Sequence, residues 1–225
     1  MTSGNDQPPD RRPIASRKHA VWIAASRLLA RRGVSANAIS IFGMIAGIAA
    51  GLAFFFSSHR PELTRAHFVL GAALVQFRLI CNMLDGMVAL ERGTPSSVGE
   101  LYNEIPDRVS DMATIIGFGY AVNSLPVLGY LGAALAVFVA YVRAAAKVAG
   151  APQDYRGPMA KQQRMFTITL AAIFCGFAPV SWQPTIAAQG WSVPAAALAL
   201  ICIGCLITAL RRIFRAASIL KNRPS

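Results

Sequence analysis

Six stretches of this sequence are apolar enough and long enough to cross a bilayer as helices. A hydrocarbon core of roughly 30 Å takes about 20 helical residues. The stretches run over Ala38–Ser57, His67–Leu90, Gly99–Val122, Val127–Val148, Met165–Val180 and Val193–Leu210. The third is polar in its first half and the fifth is short. Of the 225 residues, 55% are hydrophobic and 14% charged, against roughly 45–50% and 25% in soluble domains. An ordinary soluble domain, a disordered chain, a disulfide scaffold and a coiled coil are therefore excluded. Cys81, Cys175, Cys202 and Cys205 all fall in apolar runs and read as buried free thiols. The expected fold is an all-α membrane protein of six transmembrane helices with an N-terminal amphipathic surface helix.

The flanks complete the plan. Residues 1–13 are polar and Pro-rich and read as a disordered tail. Residues 14–33 form a juxtamembrane surface helix, with Trp22 and Leu29 toward lipid and the Arg residues at phosphates. Residues 34–215 make the six-helix domain, and 216–225 a basic cytoplasmic tail. Lys and Arg set the orientation. Seven precede Asn37, five lie from Arg143 to Arg164, and five follow Leu210, but the loops at Asn123–Pro126 and Ser181–Ser192 hold none. Both termini are thus expected in the cytoplasm. The net charge of +12 is then topology and attraction to membrane lipids, and no nucleic acid partner is expected. A homodimer could form through Gly43, Gly47 and Gly51, although such a stripe also serves packing within one chain.

Of the ten acidic residues, six lie from Asp85 to Asp111, and ionisable groups inside membrane helices mark function. At 100° per residue, Glu100, Asn103, Glu104, Asp107 and Asp111 share an arc of about 100° on the third helix. Arg78, Asn82, Asp85, Ala89 and Arg92 share an arc of about 80° on the second. The two stripes must face each other or a water-filled cavity. Converging carboxylates need protons, cationic partners or a hard divalent metal. Beside a metal site stand two other readings. One is an ion-pair cluster neutralised by Arg78, Arg92 and Arg108, and the other is an ion pathway through a transporter.

From Asn82 to Asp107 the spacing resembles the signature of the CDP-alcohol phosphotransferases, Asp-x2-Asp-Gly-x2-Ala-Arg-x8-Gly-x3-Asp-x3-Asp. Asp85, Gly86, Ala89, Gly99 and Asp107 match without a gap, while Asn82, Leu90 and Asn103 replace Asp, Arg and Asp. Ala36-Asn37-Ala38-Ile39-Ser40 is similar to the opening of the family's first span. Tyr141-Val142-Arg143 and the stretch from Gly157 to Arg164 are similar to its basic segments.

The resemblance implies an integral enzyme of phospholipid biosynthesis in a bacterial inner membrane, its site facing the cytoplasm. It would transfer the phospho-alcohol group of a CDP-alcohol such as CDP-diacylglycerol to an acceptor hydroxyl and release CMP. It implies Mg²⁺ or Mn²⁺ on Asn82, Asp85, Asn103 and Asp107, with Asp107 as general base. CDP would lie against Asn37, Ser40, Gly86, Ala89 and Gly99. Two carboxylates stand where the family has four. Glu100, Glu104 or Asp111 could compensate, and otherwise the site holds one metal or has lost catalysis. Arg92 could stand in for the Arg missing at Leu90. Arg143, Lys161 and Arg164 read either as topology signals or as an anion pocket for a phosphorylated acceptor such as glycerol 3-phosphate or an inositol phosphate.

Overall fold

The computed structural model describes residues 19–93 and 97–222, and of residues 97–100, 102 and 103 it describes the backbone. Every regular element among them is helical: α1 (Ala20–Arg31), α2 (Ala36–Phe56), α3 (Thr64–Glu91), α4 (Ser97–Gly119), α5 (Pro126–Val148), α6 (Lys161–Phe177), the single turn α7 (Ile186–Gln189) and α8 (Val193–Lys221). Their starts follow local chemistry. Ser35 and Ser192 cap α2 and α8 by accepting from the backbone N–H groups of Ala38 and Ala195, both at 3.2 Å. Pro126 opens α5 at a position where no backbone N–H is needed.

Among the described residues, four helices are long and apolar enough to cross a membrane by length and composition: α2, α3 with its leading turn, α5 and α8. The chain is an integral membrane protein. The two stretches that fall short of that measure have physical reasons. Helix α4 has 23 residues but carries the acidic stripe, and Pro106 lies inside it without ending it. Helix α6 has 17 residues and opens on Lys-Gln-Gln-Arg.

Helix α2 packs along both α3 and α4, α5 lies between α4 and α8, and α6 fits against α3 and α8. Gly47 permits this closeness, since a Cβ there would lie 2.5 Å from Ser110 Cβ and 2.9 Å from Arg78 Cδ. Gly43 and Gly51 likewise meet Cys81 on α3 and Ala113 on α4. The glycine stripe is thus consumed inside the chain and offers no free face to a second copy. Phe54, Phe68 and Phe118 cluster at the end of the bundle away from the acidic residues, with the Phe54 and Phe118 rings edge-on at 4.9 Å. Phe42, Ile45, Leu52, Leu70 and Phe77 are exposed on the outside, as a lipid-facing belt requires.

One expectation is corrected. Leu29 does not face outward: it packs with Val34 on Ile39 and Val88, so the exposed apolar residues of α1 are Val21 and Leu28. Arg27 pairs with Glu91 at 3.5 Å, and Arg92 donates to the carbonyls of Gly33 and Val34, which holds α1 against α3. Arg92 is therefore engaged at the α1–α2 connection. The last helix continues past Leu210 and Arg215 to Lys221. The tail over residues 1–13 and the start of the surface helix, 14–18, lie outside the described residues.

Candidate functional site

The first half of α2, the C-terminal half of α3, the N-terminal half of α4 and the start of α6 bring their polar side chains together. Asp85 is 3% exposed. Its Oδ2 accepts from Ser40 Oγ at 2.7 Å and its Oδ1 from the Gly86 N–H at 2.5 Å. One turn earlier on α3, Asn82 Nδ2 donates to Asp107 Oδ1 at 2.5 Å. The other oxygen of Asp107 pairs with Lys161 Nζ. Arg78 Nη2 and Arg108 Nη2 stand 3.6 and 3.7 Å from the Asp107 oxygens. A carboxylate has about four lone-pair sites, so Asp107 keeps capacity for an incoming hydroxyl.

Deeper along the same face of α4, Asp111 is 1% exposed between two buried guanidinium groups. Arg78 Nη2 donates to Oδ1 at 2.6 Å and Arg164 Nη2 to Oδ2 at 2.8 Å. Arg78 also donates to Ser110 Oγ at 2.6 Å and to the Asp107 carbonyl at 3.2 Å. Arg164 donates to the Met159 carbonyl at 3.0 Å. Charge-assisted bonds of this kind are the strong ones. The cluster ties α3, α4 and α6 together directly beneath Asp107. Asp111 is thus spent on two arginines, and Arg164 on an internal carboxylate and a carbonyl.

At the mouth, Arg143 Nη2 donates to Glu104 Oε1 at 2.6 Å, and its guanidinium lies 5.0 Å over the Tyr155 ring. The second oxygen of Glu104 meets Arg108 Nη2 at 3.3 Å. Asn37 lies one turn before Ser40 on α2, and Ala89 one turn after Asp85 on α3, both half-buried. The side chains of Gly99, Glu100 and Asn103 lie outside the described residues. Ser110, Tyr155 and the Met159 carbonyl are site contacts that the sequence reading did not single out.

The connection from α5 to α6 sets Lys161. Met159 is buried and its N–H donates to Thr208 Oγ1 at 3.0 Å. Gly157 takes φ +141°, and a Cβ there would strike the Thr208 side chain. Arg212 on α8 donates to the carbonyls of Arg156 and Val139, both at 3.1 Å.

The donor set suits a hard cation. Asp85 offers carboxylate oxygens, and Asn82, with Nδ2 turned to Asp107, offers Oδ1. No group of three or more His, Cys, Asp or Glu side chains suited to a metal occurs among the described residues, and two carboxylates match the charge of one divalent ion. The side chains of Asp85, Glu104, Asp107 and Asp111 face those of Arg78, Arg108, Arg143, Lys161 and Arg164, leaving the described cluster one positive charge in excess. That field suits an anionic substrate.

A family model for CDP-alcohol phosphatidyltransferase matches residues 33–220. The phosphatidylinositol phosphate synthase of Mycobacteroides abscessus is 30% identical over 164 residues, 70% of each chain. The inner membrane protein YnbA of Escherichia coli is 25% identical over 167 residues, 73% of this chain and 79% of its own. Two solved structures of phosphatidylinositol phosphate synthase from Mycobacterium tuberculosis share the fold at 22% identity. One, with CDP-DAG bound, has a TM-score of 0.74 and covers 92% of this chain and 100% of its own. The other, in complex with manganese and citrate, has a TM-score of 0.72 and covers 91% and 93%.

Proposed function

This chain belongs to the CDP-alcohol phosphatidyltransferase family, and on that premise we propose that it moves the phosphatidyl group of CDP-diacylglycerol to a phosphorylated polyol, releasing CMP. The observation that carries the reading is the meeting of Asp85 and Asp107, the matched acids of the motif, beneath Lys161 and Arg143. Relatives named phosphatidylinositol phosphate synthase favour an inositol phosphate over glycerol 3-phosphate as the acceptor.

The acceptor hydroxyl attacks the phosphorus nearest the lipid alcohol. A new P–O bond forms, the bond to CMP breaks, and the hydroxyl proton passes to Asp107. Lys161 and Asn82 hold the two Asp107 oxygens so that a remaining lone pair meets the hydroxyl. Ser40 and the Gly86 N–H fix Asp85. A divalent cation, Mg²⁺ or Mn²⁺, on the oxygens of Asp85 and Asn82 supplies charge stabilisation for the pyrophosphate when bound. Asn37 and Ala89 flank the CDP side, one turn from Ser40 and Asp85. Asn103 lies one turn before Asp107 on α4. Arg143 and Arg108 receive the acceptor phosphate as Glu104 gives way. Arg164 and Asp111 serve from beneath, by holding α4 and α6 in register.

The full topology is six spans, with α4 and α6 completing the bundle and their charged halves facing its polar site. The basic residues cluster at the site end, which supports a topology with that end and both termini in the cytoplasm. Helix α1 lies on that surface with Val21 and Leu28 in the acyl boundary.

The test is CMP release by purified protein given CDP-diacylglycerol with inositol phosphate, glycerol 3-phosphate, free inositol or serine. Release is expected with a phosphorylated polyol, lost in chelator and restored by Mg²⁺ or Mn²⁺. Full turnover after rigorous metal removal, or no release with any acceptor, sinks the reading.

A further inference from the structure

The signature places four carboxylates where this chain has two, so the site needs less added positive charge. Four converging carboxylates require about four units of positive charge to remain ionised together. Asn82 replaces one acid, and its Nδ2 lies 2.5 Å from Asp107 Oδ1. An Asp at 82 would set oxygen against oxygen there, and that contact needs a shared proton or a bridging cation. The amide makes it a hydrogen bond that needs neither.

The two remaining acids then differ. Asp107 Oδ2 is paired with the Lys161 ammonium, and Arg108 and Arg78 stand within 3.7 Å of the same carboxylate. Lys161 is 14% exposed in its side chain and is the first residue of α6. It is placed by the Arg164 clamp and by the buried Met159 connection. Asp85 accepts only from neutral donors, Ser40 Oγ and the Gly86 N–H, and no ion pair joins it among the described residues. One acid carries its counter-charge covalently within the chain, and the other awaits one.

We infer that this protein binds a single divalent cation, on the Asp85 side of the site, and that the Lys161 ammonium supplies at Asp107 the positive charge that a second ion would otherwise bring. This rests on the proposed membership of Asp85 and Asp107 in one reaction centre, and it concerns how many ions that centre holds.

Mn²⁺ binding tests it without turnover. Purified full-length protein in detergent is titrated with Mn²⁺, and free and bound ion are followed by electron paramagnetic resonance. One Mn²⁺ per chain is expected, with the spectrum of an isolated ion. Asp85→Asn should weaken that site at least tenfold, and Asp107→Asn should weaken it much less. Lys161→Met uncovers Asp107 Oδ2 and should admit a second, weaker Mn²⁺ with spin–spin coupling to the first, whereas Lys161→Arg should not. A monodisperse elution profile confirms that each variant is folded. Two coupled ions in the unaltered protein, no bound ion, equal loss from Asp85→Asn and Asp107→Asn, or an unchanged count in Lys161→Met would each overturn the inference. Two ions together with CMP release would leave the proposed function standing. One ion without CMP release would overturn the function and leave this inference intact.

Discussion

Replacing Asp111 with Asn should cost more stability than any other single change at the site. Asp111 is 1% exposed, and its partners Arg78 and Arg164 are 0% and 1% exposed. Two charge-assisted bonds, at 2.6 and 2.8 Å, end on its oxygens. An Asn keeps one acceptor oxygen but turns an NH₂ group toward a guanidinium that can only donate. It also leaves Arg164 without a carboxylate partner and Arg78 with Asp107 alone, at 3.6 Å. Breaking one side of a buried pair costs about 3–5 kcal/mol, and 3 kcal/mol corresponds to about a hundredfold change in an equilibrium constant. An SDS unfolding titration in mixed micelles reads this as a midpoint moved to lower detergent fraction. Asp107→Asn serves as the control, because Asp107 is more exposed and Arg78 and Arg108 beside it also touch other acceptors. A loss below about 1 kcal/mol for Asp111→Asn, the range of a solvent-exposed pair, would refute the clamp as a strut.

Asp107→Asn should lower CMP release by at least about a hundredfold, as loss of a general base does, with the unfolding midpoint nearly unmoved. Arg143→Gln should raise the apparent KM for a phosphorylated acceptor about tenfold or more, since a bond to a charged group contributes about 1.5–3 kcal/mol. The KM for CDP-diacylglycerol should change much less, and both constants come from one CMP-release assay. Glu104→Gln should move the acceptor KM the other way, because the Glu104 carboxylate holds Arg143 and Arg108 in the absence of substrate. Gly47→Ala should destabilise by about 1–3 kcal/mol, the usual cost of overpacking, measured in the same SDS titration.

The helices were legible because hydropathy reports which segments leave water. The motif was legible because the helical period places Asn82 with Asp85, and Asp107 with Asp111, on single faces. The partner of each cation was not legible. Arg164 reads equally as a topology signal, a ligand for a substrate phosphate or a counter-ion. Its actual partner, Asp111, lies 53 residues away. Only the rotation of α6 about its axis decides among these. One clue was present, since Asp111 sits a turn deeper than Asp107 on a helix otherwise apolar beyond it. An acid at that depth needs a cation on a neighbouring helix, and Arg78 and Arg164 were the basic residues within reach. Leu29 was misplaced for a similar reason. A short amphipathic segment shows that it has an apolar side, and not whether that side meets lipid or protein.

Helix α8 runs 29 residues, about 43 Å at 1.5 Å per residue, and the span proper needs only about 30 Å of it. The surplus acts like a mast, with Arg212 lashed to the carbonyls of Arg156 and Val139 and Arg215 reaching Asp154 at 3.5 Å. The connection that ends at Lys161 hangs from that rigging. A chain cut after Leu210 would insert and fold its membrane bundle, yet slacken the strand of backbone that delivers Lys161. The proposed activity is therefore expected to depend on a stretch beyond the span that hydropathy marks.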